Sequence, residues 1–472
     1  MFPEEAGALV RLVLIGLAAA CAFCRTTAAQ DWPRFGWDAG RSSAPSTPTG
    51  ITAGNVASLV RQRVALDGTV DASAIYLHAA RVQGKTADVF LVTTTYGKTL
   101  AIDARDGAIL WEYTPPHYDT WVGSYRVATA TPVADPDRAF VYAASPDGQI
   151  QKLAVADGHV VWRTAITALP RREKIASPLN YDRGHVIATT GGYIGDASPY
   201  QGHVAILDGP SGALLHVWNS LCSNRPGLLD PASCDESGSA IWGRAGAVID
   251  STTGNIFVAT GNGRWDGRAH WGDAVLELDP TATRLLGNYT PANTAELDAS
   301  DADLGSTSPV LLGAGLIAQG GKDGSIRLLD WEGGMRGTEP HRGGERQVVP
   351  SETVRFTAPA VLRTTATTRL FAADGGGTAA WTLRDGELRA LWRNGNSGTS
   401  PVVAGGLLFV YDPGGGLRVY DPATGHELAR LDCGDGGSHW NSPIVVDGRI
   451  ALPEGNSNDR STSGVLNIWR LP

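Results

Sequence analysis

The chain repeats one motif along most of its length. The unit at residues 131–164 reads TPVADPDRAFVYAASPDGQIQKLAVADGHVVWRT. A short apolar run follows Thr-Pro, an alternating run spans Ala139 to Ala144, and an Asp-Gly turn comes next. Two further apolar runs flank a second Gly turn, and the last carries Trp162. Period-two alternation broken by such turns is the pattern of hairpin-linked antiparallel strands, four to a unit. The same order recurs from DASAIYL to LWEY (71–113), ASPLNY to LLHVW (176–218), GRAGAVID to LLGNY (243–289) and TSPVLLG to DWEGG (307–334). It continues from TAPAVLR to LRALW (357–392), TSPVVAGG to ELARL (399–431) and NSPIVVDG to NIWRLP (441–472). Repeats of roughly 35–50 residues are the size of a propeller blade. The last unit stops after its third strand, and a spare strand, SLVRQRVAL (58–66), precedes the first. That strand is expected to complete the eighth blade and close the ring, leaving no free sheet edge. The expected fold is all-β: an eight-bladed β-propeller of four-stranded antiparallel blades over residues 58–472. Trp111, Trp162, Trp218 and Trp392 fall at equivalent outer-strand positions. They are expected to pack between neighbouring blades and not to serve as ligand platforms.

Composition narrows the class. With 59 Gly, 27 Pro and only 18% charged residues, the chain is turn-rich and globular. A net charge of −9 and the lack of a basic run exclude nucleic acid as a partner. The apolar stretch Leu12 to Phe23, followed by TTAA, fits a signal peptide over residues 1–29, with a lead-in at 30–57. The expected location is periplasmic or secreted. LAAAC at Cys21 offers a lipid anchor at the outer membrane as the alternative. Cys222 and Cys234 flank the short loop CSNRPGLLDPASC and are expected to pair in an oxidising compartment. Cys433 reads as a buried apolar residue.

The recurring A-x-D-x-x-x-G-x-x-x-W unit resembles the pyrroloquinoline-quinone (PQQ) repeat, and DWPRFGWDAGR resembles the opening of such proteins. The resemblance covers essentially the whole mature chain. It implies either a quinoprotein dehydrogenase with PQQ on the central axis, or a non-catalytic propeller that scaffolds envelope proteins or binds a ligand. The segment AIWGRAGAVIDSTTGNIFVATGNG (240–263) resembles the dehydrogenase element that places a Trp beneath the cofactor and an Asn on the metal. By that match Trp242 is the platform and Asn262 a metal ligand, although Asn262 also reads as a Gly-Asn-Gly turn residue. LDASDADLGSTSP resembles the element that carries the catalytic base and, two residues on, a ligand for a trivalent ion. Asp301 matches the base, also a metal ligand, and Asp303 the second carboxylate. Ser300 stands where the family has Trp, and Asp298 reads as a plain turn residue. GGKDGSIRLLD (320–330) resembles the strand entry whose cation contacts the quinone, which assigns Lys322, otherwise a turn lysine. TGGYIGDASPYQGHV (190–204) lies where the family donates a Glu ligand, and Asp196 is its nearest carboxylate.

On this reading the chain binds PQQ with calcium or a lanthanide and oxidises an alcohol or sugar, passing electrons to a separate acceptor. The adjacent cysteine pair that many such enzymes bridge over the cofactor is absent. Tyr118, Trp121 and Arg126 are candidates to cover it instead. The second reading is a non-catalytic scaffold partnered by envelope proteins. A third, from GRWDGRAHWGD and GSHWNS, is a surface carbohydrate binder.

Overall fold

Eight four-stranded antiparallel sheets follow one another along the chain, each running from an inner to an outer strand. They are seen in a computed structural model that describes residues 30–351, 353, 356–434 and 440–472. The expected signal peptide and Cys21 lie outside the described residues. Blade one comprises Ile75–Val82, Lys85–Thr93, Thr99–Asp103 and Ile109–Tyr113. The last blade joins Ile444–Val446, Arg449–Glu454 and Gly464–Arg470 to the strand Val60–Leu66. Val60 pairs with Arg470 and Leu66 with Gly464. The spare N-terminal strand therefore closes the ring as the sequence implied, and the fold is the expected eight-bladed propeller.

The repeat motif has a local cause. Asp103, Asp208 and Asp421 open equivalent turns, and their carboxylates accept the backbone N–H of Arg105, Ser211 and Ala423 at 2.7, 2.8 and 2.7 Å. The motif glycine then takes a left-handed conformation, with φ of 75° at both Gly158 and Gly212. It also clears space for the preceding blade. A Cβ on Gly158 would lie 2.6 Å from the Trp111 ring, one on Gly212 2.4 Å from Trp162, and one on Gly425 2.5 Å from Trp392. The indole N–H of Trp111 donates to Val155 O at 2.8 Å, and that of Trp162 to Gly209 O at 3.1 Å. Motif Gly and motif Trp thus form one contact between consecutive blades.

The lead-in crosses the inner strands. Carbonyls of Pro33, Ala39, Ser42, Ser43 and Thr49 accept N–H groups of Ala134, Ile249, Val361, Val403 and Gly448, at 2.6–2.9 Å. Five blades are tied to one segment, which satisfies these five carbonyls although the segment has almost no strand structure of its own. Cys222 and Cys234 form a disulfide. Cys433 is partly buried against the core, and burial pushes its thiol up to about 12.

Candidate functional site

Segments that enter the inner strands of blades three, four and five meet at one end of the ring. With the turns after the second strands they enclose a cavity of ≈ 560 Å³. Asp196, Trp242, Asn262, Asp301, Asp303 and Lys322 all line it. Those six residues span 127 positions of sequence, from 196 to 322, and the topology brings them together.

The acidic element is shaped by its backbone. A short helix, Thr294–Ala299, ends at Ser300, and the chain reverses through Asp301 at φ 53°, a left-handed conformation that Asp tolerates. Asp303 then opens the 3-10 turn Leu304–Ser306, which leads to the inner strand Val310–Gly313. The Asp303 carboxyl is buried, its Oδ1 accepting the Asn262 N–H at 2.6 Å and its Oδ2 contacting Lys322 Nζ. Lys322 Nζ also lies 2.9 Å from Asp301 Oδ1, and Asn262 Nδ2 donates to that same oxygen at 2.9 Å. The lysine ammonium therefore bridges the two carboxylates. Asn262 Oδ1 is left buried with no hydrogen-bond partner among the described residues.

Burial raises the Asp303 carboxyl above its usual range, against the pull of Lys322. For Lys322, burial acts downward, but Asp303 and Asp301 outweigh it and hold the ammonium above its ordinary value. Lys322 also sits over the Trp242 ring, 5.4 Å from its centroid. Trp242 is flanked by Phe356 at 6.2 Å and, edge-on, by Trp440 at 6.1 Å. Gly261 keeps this centre open, since a Cβ there would fall 2.2 Å from Asp303 Oδ1 and 3.1 Å from Trp242 Nε1.

Several residues escape sequence reasoning. Asp273 is fully buried and accepts the Leu304 N–H at 2.9 Å, fixing the turn that carries Asp303. Burial pushes its carboxyl up to about 8. Lys174, Tyr193, Tyr200 and Trp440 also line the cavity. Trp440 comes from GSHWNS, read above as a surface loop. Its signal was only a Trp in a Gly-rich segment. Asp196 is exposed at the rim, beside Tyr200. Asp298 is exposed on the short helix and not in a turn.

Tyr118, Trp121 and Arg126 are not brought to the cavity lining. Trp121 is buried and its indole N–H donates to Tyr96 O at 3.1 Å. Arg126 stacks on Trp121 at 5.6 Å, and Tyr118 meets Tyr96 edge-on. Trp121 and Tyr118 belong to an apolar cluster of their own with Tyr96 and Val127.

The family profile described as "Outer membrane protein assembly factor BamB" matches residues 52–264. No curated protein matches the chain. Among solved structures, a quinohemoprotein alcohol dehydrogenase from Pseudomonas putida HK5 is similar over 93% of this chain and 80% of its own, at TM-score 0.70 and 15% identity. A europium-containing methanol dehydrogenase matches over 93% of this chain and 98% of its own, at TM-score 0.67 and 14% identity. BamB from Moraxella catarrhalis matches over 87% of this chain and 98% of its own, at TM-score 0.52 and 15% identity. The chain is an eight-bladed propeller that shares its fold with quinoprotein dehydrogenases and with BamB, and its residues 52–264 are similar to the BamB family profile.

Proposed function

We propose that the chain is an exported quinoprotein-type dehydrogenase that uses PQQ and a calcium or lanthanide ion to oxidise an alcohol or sugar. The observation that carries this is the convergence of Asp301, Asp303, Asn262, Lys322 and Trp242 in one axial cavity. The donor set fits a hard cation. It comprises two carboxylates and an amide carbonyl, Asn262 Oδ1, that is buried without a partner. The Lys322 ammonium already bridges the two carboxylates, marking a place where positive charge is stable. A second carboxylate favours an ion of higher charge. Asp196 at the rim is the further candidate ligand. When bound, PQQ supplies the redox step and the cation supplies Lewis acidity.

The remaining work falls to this chain. Trp242 offers a flat aromatic face braced by Phe356 and Trp440. A metal ion that takes Asp303 would release Lys322 to stabilise negative charge on the ligand. Asp301 spends Oδ1 on Lys322 and Asn262, which leaves Oδ2 to take a proton from the substrate hydroxyl. Electrons then pass to a separate acceptor.

Reconstitution of purified protein with PQQ plus calcium or lanthanum tests this, with dye-linked oxidation of alcohols and sugars as the readout. Activity is expected, and Asp301→Asn should lower kcat about 10²–10⁴-fold, the usual contribution of a general base. Absence of activity with every metal, together with no thermal shift, would leave the second reading. In that reading the chain scaffolds envelope proteins, as the match of residues 52–264 to the BamB profile favours. The carbohydrate-binding reading loses its main support because Trp271 is buried and donates its indole N–H to Ser223 Oγ at 3.0 Å. Among the described residues no helix is long and apolar enough to cross a membrane.

A further inference from the structure

A second set of metal-ligand atoms gathers at the disulfide loop. The sulfurs of Cys222 and Cys234 and a ring nitrogen of His270 lie within 4.8 Å of one another. Asp235 Oδ1 adds an oxygen 3.8 Å from Cys222 Sγ and 3.9 Å from Cys234 Sγ. None of the four residues lines the axial cavity. Two sulfurs, an imidazole and a carboxylate are donors that zinc takes in a tetrahedron.

His270 lacks a partner. It is only 7% exposed, and its Nδ1 is buried with no hydrogen bond among the described residues. A buried polar atom left that way is costly. The other ring nitrogen, Nε2, faces Asp266 Oδ2 at 3.9 Å. Asp266 is itself fixed, its Oδ1 accepting the N–H groups of Arg268, Ala269 and His270 at 2.9, 2.8 and 3.0 Å. A carboxylate on the far nitrogen is how a ligating histidine is held with its near nitrogen toward the ion.

The two loops are tied together by more than the S–S bond. Ser223 N–H donates to Ala269 O at 2.9 Å, Trp271 N–H to Ser220 O at 2.9 Å, and the Trp271 indole to Ser223 Oγ at 3.0 Å. Within the cysteine loop, Asn219 Nδ2 donates to Arg225 O and Gly227 O at 2.8 and 3.1 Å, and Arg225 Nη1 to Ser233 O at 2.8 Å. These bonds hold the four side chains near one another when the cysteines are reduced.

We propose that Cys222, Cys234, His270 and Asp235 form a zinc site in the reduced chain, exchanged for the disulfide on oxidation. A dithiol supplies two electrons and two protons to the Cys222–Cys234 bond and leaves as its own cyclic disulfide. Zinc then displaces both thiol protons and takes the thiolates as ligands. With Cα atoms 6.2 Å apart, the two sulfurs can straddle an ion at Zn–S distances of about 2.3 Å. A small-molecule disulfide reverses the exchange: it accepts the two electrons and leaves as two thiolates, the Cys222–Cys234 bond re-forms, and zinc departs. Asp266 acts through His270 as a positioning residue. The loop is thus closed in both redox states.

Purified protein, reduced with excess dithiothreitol and desalted without oxygen, is titrated with cobalt(II) to test this. Thiolate-to-cobalt charge-transfer absorption reports sulfur ligation directly, and the axial carboxylates and Asn262 cannot produce it. One equivalent should give that absorption together with the intense visible bands of tetrahedral cobalt, and zinc should displace it. The disulfide form, which keeps the Cys433 thiol, should give neither. His270→Ala should weaken binding by more than about 100-fold, and Asp266→Asn by about 10–100-fold with the charge-transfer absorption retained. Asp235→Asn changes an exposed side chain, leaves the fold intact, and should also weaken binding. No charge-transfer absorption in the reduced wild type, or wild-type affinity in either His270→Ala or Asp235→Asn, would overturn the site.

Discussion

Lys322→Met is expected to destabilise the metal-free protein by about 3–5 kcal/mol, the usual cost of removing one partner from a buried ion pair. The size follows from Asp303, whose side chain is only 10% exposed and whose Oδ2 has Lys322 as its counter-ion. Removing the ammonium leaves a buried carboxylate held by the Asn262 N–H alone. The loss should depend on pH. Burial already raises the Asp303 carboxyl in the folded state. Without Lys322 it rises further, so the folded protein binds a proton that the unfolded chain releases above the ordinary carboxylate range. Stability of the variant should therefore fall, relative to wild type, as pH rises from 5 to 8. Calcium or lanthanum should restore much of the loss by replacing the missing charge. Urea unfolding at both pH values, with and without metal, measures each effect. Equal stability of variant and wild type at pH 8, indifferent to metal, would show that the bridge does not matter.

The second large effect concerns the ring itself. Trp111→Ala should cost about 3–5 kcal/mol, as large-to-small changes of buried aromatic residues do. Trp111 is 7% exposed and its indole donates to blade two at Val155 O. Gly158→Ala should also destabilise, because the new methyl group would meet the Trp111 ring at 2.6 Å on a backbone with φ of 75°. Since the two residues share one contact, the double variant should lose less than the sum of the single losses. Thermal unfolding of the three variants checks this, and strictly additive losses would contradict the shared contact.

These examples also show why the fold was legible in the sequence. Asp, Gly and Trp recur because several blades use the same turn and the same docking contact, so local chemistry writes the architecture repeatedly along the chain. Ring closure was legible as well, since a missing outer strand and a spare N-terminal strand match in length and pattern. The centre is written only once and is scattered. Trp242, Asn262, Asp301, Asp303 and Lys322 were reached through a family resemblance, and their shared cavity appears only in the folded ring. Lys174 and Asp273 had no sequence signal. One follows an acidic residue in RREK and the other sits in an ordinary WGD turn, and only burial distinguishes them. Tyr118, Trp121 and Arg126 misled because an aromatic loop reads alike whether it covers a cavity or packs on itself.

Asn262, Asp301 and Asp303 are proposed to share one cation beside Trp242. Terbium titration with excitation of tryptophan tests it most directly, because emission requires the ion to lie close to an indole. The wild type should give saturable sensitised emission at one ion per chain, competed by calcium or lanthanum and abolished by Asp303→Asn. No sensitised emission, or an unchanged titration in Asp303→Asn, would contradict the claim.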